Sequence, residues 1–180
     1  MKTKIRNYFL KRFIKQNRIQ QRKYLNYNDI KTVLILFESE FNEKNKNIKD
    51  IISKLTDDKK DVDAIGYIDK KEILTSVRSN FRILGKKHIN WFEKPCDVVL
   101  KKVKNKKYDL LIDLNINNQI PLLYLNVASN SLLKTGLYNK KYDLFDFSIH
   151  KKKLLRDKKE LEIINIFQQI TFYLKKIEAK

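Results

Sequence analysis

Three acids stand where an α/β protein keeps its chemistry. Glu38 follows TVLILF, Asp69 follows DVDAIGYI and Asp113 lies in YDLLIDLN, each at or near the end of an apolar run. In open α/β sheets ligands bind beyond the carboxyl ends of the strands, so carboxylates converging there would hold Mg²⁺ or serve as an acid and base pair. The plainer reading, solvated acids that end strands, is preferred because no Ser/His or Cys/His partner accompanies them. On that reading Asn at 69 or 113 is neutral or mildly destabilising. The single cysteine, Cys96, excludes an internal disulfide and a CxxC metal site, and reads as a small buried apolar residue. His88 and His150 lie far apart, each beside lysines, which suits a basic surface better than a general base. Gly66, Gly85 and Gly136 are too scattered for a phosphate-cradling loop. No catalytic residue, metal or cofactor is assigned.

The other chemistry is cationic. Gly85–Pro95 (GKKHINWFEKP) sets Lys86, Lys87 and Lys94 among His88, Trp91 and Phe92, and aromatics beside cations make a stacking platform for bases. The alternative is that Trp91 and Phe92 plug the sheet edge. Further clusters are Lys101–Lys107, beginning with Lys101 and Lys102, and Lys151–Lys159, beginning with Lys151, Lys152 and Lys153. Lys4, Lys11, Lys15, Arg18 and Arg22 recur at helical spacing and line one face of a helix, with Ile5, Phe9, Leu10, Phe13 and Ile14 on the remaining arc. Of these, Lys4, Lys11, Lys15, Arg18, Arg22, Lys86, Lys87, Trp91, Lys101, Lys102, Lys151, Lys152 and Lys153 are the candidate phosphate and base contacts.

The net charge of +19 rests on 40 Lys+Arg, of which 33 are lysine. The chain also holds 22 Ile and 17 Asn, residues that share A/T-rich codons, so part of the excess reflects codon composition. Its distribution is more telling: residues 1–28 carry nine bases and no acid.

Several elements must position these residues. Leu, Ile, Val and Phe make up 61 of 180 residues, enough for a core in one domain of ordinary size. No apolar run is long enough for a membrane span, no secretory signal is present, and the chain reads as cytoplasmic. A basic amphipathic helix runs from Met1 to about Tyr24, with a boundary near 26–30 that sets residues 1–28 apart from a single α/β domain over 29–180. Strands are expected at Lys31–Glu38, Asp61–Asp69, Phe81–Leu84, Tyr108–Leu114, Leu132–Tyr138 and Tyr142–Ile149. Helices are expected around Ile48–Leu55, over Lys70–Arg78, over Pro95–Lys104 with Pro95 in the first turn, over Ile120–Ser129, where Pro121 and LLYLNVAS also suit a strand, and over Asp157–Ile177. The alternation predicts an open, mostly parallel, Rossmann-like sheet with helices on both faces.

The order of GYIDKKE, KKHINWFEKP, YDLLIDLN, IPLLYLNVASNSLLKTGLY and YDLFDFSI resembles an uncharacterised bacterial family of small α/β proteins of unknown function, from about Ile5 onward. More weakly, YDLLIDLN and SNSLLKTGLY resemble the first Rossmann-like domain of heptosyltransferase-type glycosyltransferases. That likeness implies a shared fold, and the family's second, nucleotide-sugar-binding domain has no counterpart in 180 residues.

The leading expectation is a non-catalytic protein that binds structured RNA, ribosomal above all, through the N-terminal helix and the lysine clusters. Two alternatives stand. In one, the same helix lies on an anionic membrane with Phe9, Leu10, Phe13 and Ile14 in the lipid interface. In the other, a glycosyltransferase-like or metal-dependent enzyme works at Asp69 and Asp113.

Overall fold

Thr32–Glu38 (TVLILFE, β1) is apolar at nearly every position because both of its faces are covered. Val33, Ile35 and Phe37 point into one core layer and Leu34 and Leu36 into the other. The computed structural model describes residues 2–17, 23–39, 43–70, 80–154 and 162–177. Around β1, the strands β2 (Asp61–Tyr67), β3 (Phe81–Leu84), β4 (Lys107–Leu114), β5 (Asn130–Leu137) and β6 (Phe147–Ile149) complete one open sheet in the order β3-β2-β1-β4-β5-β6. Every pairing is parallel. This is the strand order of a Rossmann-like, doubly wound sheet, and its direction reverses between the neighbours β1 and β4.

Helices cover both faces. On one, α2 (Glu43–Asp57) presents Ile48, Ile51 and Leu55, and α6 (Ile163–Lys176) presents Ile166, Phe167, Ile170 and Leu174. On the other, α1 (Lys2–Asn17), α3 (Asp97–Asn105) and α4 (Ile120–Ala128) share a core with β1, β2 and β4. Pro121 lies in the first turn of α4, where its missing N–H costs nothing. A single turn, α5 (Lys151–Leu154), follows β6 and was not anticipated.

Three expectations about the elements change. The strand foreseen over Tyr142–Ile149 shrinks to Phe147–Ile149, because Tyr142 is drawn into the core beneath α1 and Asp146 forms a bend. There Asp146 accepts the Lys134 N–H on its carboxylate at 2.8 Å and donates its own N–H to the Lys134 carbonyl at 2.9 Å. Pro95 lies outside α3, whose N-cap is Cys96; it instead bridges antiparallel to Ile89 and closes a loop. The last helix begins at Ile163, after an extended Glu162, and the residues expected to open it at 157–161 lie outside the described residues. The N-terminal helix is described to Asn17, so Arg18 and Arg22 lie outside the described residues, as does most of the helix expected over 70–78.

Candidate nucleic-acid interface

The apolar side of α1 is committed to its own domain. Leu10 is fully buried, Phe13 meets Tyr124 of α4 edge-on at 5.0 Å between ring centres, and Phe9 packs on Phe92 at 4.1 Å. Polar contacts fix the N-terminal half: Arg6 pairs with Glu93, and the Tyr142 hydroxyl donates to Asn7 Oδ1 at 2.7 Å. With that side facing inward, Lys4, Lys11 and Lys15 are exposed.

The loop that receives α1 is built by short-range hydrogen bonds. Gly85 N–H donates to His88 Nδ1 at 3.0 Å, so this imidazole is an acceptor within the loop, and burial pushes its pKa down. His88 is half-buried in this lysine-bearing loop. Asn90 Oδ1 accepts the N–H groups of Phe92 and Lys94, both at 3.0 Å, and Glu93 takes a left-handed φ of 62° to complete the turn. As a result the two aromatics part. Phe92 is half-buried against α1, whereas Trp91 keeps 55% of its surface exposed. Beside it lies a cleft of about 480 Å³ among Arg6, Asp69, Lys86, Asn90, Trp91 and Glu93. Lys86, which lines it, and the next residue, Lys87, are exposed.

Of the remaining clusters, Lys101 and Lys102 are exposed on α3, which covers the same face of the sheet as α1. Lys151 and Lys152 are exposed on α5, next to the edge strand β6; Lys151 Nζ donates to the Ile116 carbonyl at 2.7 Å, and Leu154 packs on the opposite core layer. The side chain of Lys153 is outside the described residues. Thus α1, the 85–95 loop and α3 share one side, and α5 stands apart from them. Arg6, Asn90 and Glu93 were not singled out in the sequence. Arg6 precedes Phe9 by three positions, a spacing that puts it at the border of the apolar side, but Asn90 and Glu93 carry no local signal.

The three carboxylates separate. Asp69 stays exposed, accepts the Tyr67 hydroxyl at 3.2 Å and pairs with Lys86 at 3.1 Å. Glu38 reaches across the β1/β4 reversal to Asn117. Asp113 is 2% exposed: Oδ1 accepts the Asn115 N–H at 3.0 Å and Oδ2 accepts Asn126 Nδ2 at 2.9 Å. Burial pushes its pKa up to about 7, against the lowering effect of those hydrogen bonds. Asp113 is therefore a buried strand-end cap, not a surface acid. Among the described residues no three His, Cys, Asp or Glu side chains are grouped to hold a metal ion. Cys96 is exposed, contrary to the buried reading, because it caps α3 on the outside of the fold. No helix among the described residues is long and apolar enough to cross a membrane.

A family model, DUF6913, described as a family of unknown function, matches residues 2–177. No curated protein and no solved structure matches the chain. The weaker likeness to heptosyltransferases gains no support from these comparisons.

Proposed function

We propose that this chain, which belongs to the DUF6913 family of unknown function, binds structured RNA, with ribosomal RNA the first target to test. The observation that carries the reading is the docking of α1. Its apolar side is occupied by Tyr124 and Phe92, and its lysines project into water beside an exposed indole. A helix on lipid needs Phe9, Leu10 and Phe13 free, yet all three pack against the domain. An enzyme working at Asp113 needs a reachable carboxylate, and this one is enclosed.

Phosphate contacts position a protein on nucleic acid, while aromatic stacking grips unpaired bases. Lys4, Lys11, Lys15, Lys86 and Lys87 supply the first and Trp91 the second. If these five lysines each neutralise a phosphate, binding should weaken with salt along a log-log slope of about −3.5 to −4.5. Replacing Lys4, Lys11 and Lys15 by Gln should make that slope shallower by about 2 to 3. The reading is overturned by an affinity indifferent to salt, or by one unchanged in the triple variant. Retention on anionic vesicles without RNA binding would instead favour the membrane alternative.

A further inference from the structure

We infer that the cleft beside Trp91 receives one unpaired guanine of the bound RNA; this rests on the RNA reading above and adds the base that the surface selects. The stacking wall comes first. Trp91 lies edge-on to Phe92 at 5.1 Å and 80°, and Phe92 is itself held by Phe9, so the exposed indole rests on an anchored ring. A base laid on it would meet the polar groups that line the same cleft.

Those groups are selective in kind. Asp69 and Glu93 are acceptors only when ionised, so a base edge facing them must offer hydrogens. Guanine alone carries two N–H donors side by side, at N1 and N2, and one carboxylate can accept both. Uracil has one N–H between two carbonyls, while adenine and cytosine set a single exocyclic amine beside an acceptor nitrogen. Next to its two donors guanine bears O6, which needs a hydrogen in return. Arg6 has one to give. Its guanidinium carries five N–H groups; Nη1 is paired with Glu93, and the side chain stays partly exposed where it lines the cleft. Lys86, held by Asp69 at the rim, stands beside them for the attached phosphate. An indole face, two carboxylates and a guanidinium line one cleft of about 480 Å³, the kinds of group that guanine's face and edge call for.

Trp91 is the sole tryptophan of the chain, so its fluorescence reads occupancy of this cleft directly. The test titrates the full chain with RNA hairpins identical except for one loop base. A loop guanine should quench Trp91 and bind about tenfold tighter than adenine, cytosine or uracil, the scale of one bidentate pair. Asp69→Asn should shrink that preference, since it replaces one of the two carboxylate oxygens that accept side by side. Trp91→Ala should lower affinity for the guanine hairpin by about tenfold, the scale of one lost base stack. Equal affinity for all four hairpins, or binding with the expected salt slope but no change in Trp91 fluorescence, overturns the guanine site and leaves the RNA reading standing. Failure to hold any RNA at low salt overturns both.

Discussion

Asn117 closes on both oxygens of Glu38, its backbone N–H on Oε1 at 2.5 Å and its side-chain amide on Oε2 at 2.6 Å. The contact ties the carboxyl end of β1 to the segment after β4, at the point where the strand order reverses. Hydrogen bonds to an ionised group stabilise by roughly 1.5–3 kcal/mol. Glu38→Ala should therefore cost about 2 kcal/mol in urea unfolding. Glu38→Gln, which keeps an acceptor for the backbone N–H, should cost less than about 1 kcal/mol. Equal losses would mean that the charge, not the paired geometry, carries the contact.

Asp113 should make stability depend on pH in an unusual sense. Its folded pKa, about 7, lies above the ordinary carboxylate value, so the folded chain holds a proton that the unfolded chain has released. This contribution is complete below about pH 4, declines as pH rises through 7, and is absent above. Charged and polar neighbours, Glu38 and Lys134, act on the same group in opposite directions, Glu38 raising its pKa and Lys134 lowering it. Asp113→Asn should remove that part of the pH profile and, above pH 7, leave the protein more stable by a few kcal/mol at most. The sequence alone leads one to expect a neutral or mildly harmful Asn; burial reverses the sign. Parallel melting curves at pH 5 and pH 8 would decide it, and an unchanged difference between the two proteins would refute the buried-proton account.

Lys60 is buried with its ammonium between two carbonyls, those of Tyr27 and Ile30, each at 2.8 Å, and over the Tyr27 ring at 4.1 Å. Lys60→Met keeps most of the stem and leaves both carbonyls without this donor. A loss of about 3 kcal/mol in denaturant is expected, an amount typical of a removed buried charge. A loss under about 0.5 kcal/mol, the range of ordinary surface changes, would show that these carbonyls find other donors at little cost.

Phe13→Ser should destabilise through a lost ring contact with Tyr124, by about 2–4 kcal/mol, and Phe9→Ser should act in the same direction through Phe92. Neither should alter retention on anionic vesicles. A pair of variants that keep full thermal stability yet lose vesicle binding would show that these rings face lipid, not the domain.

The central strands were readable because burial on both faces writes itself as uninterrupted apolar sequence, as in TVLILFE and YDLLIDL. Their lateral order was not, since nothing local to β1 says that β4, some seventy residues later, is its neighbour. Tyr142–Ile149 misled because YDLFDFSI alternates like a strand, while the long-range pull of Asn7 on Tyr142 lies outside any window. Within the interface, lysine spacing on α1 was legible from helical periodicity. The cleft was not, because Arg6, Asp69 and Glu93 come from three separate stretches and meet only when the sheet is formed. Asp113 shows the same limit: its burial depends on α4 laying Asn126 over it.

The docking of α1 also sets an order of events. Its seat is made by Phe92, Tyr124 and Tyr142, all more than seventy residues downstream of the helix they receive. During synthesis a cationic helix with bare phenylalanines therefore emerges well before anything can cover it, and loops that long close late. The helix is made early, but its seat is complete only once residue 142 has been made. Until Phe92 and Tyr124 are made, Phe9 and Phe13 lack these ring partners, and exposed apolar surface of that kind favours self-association.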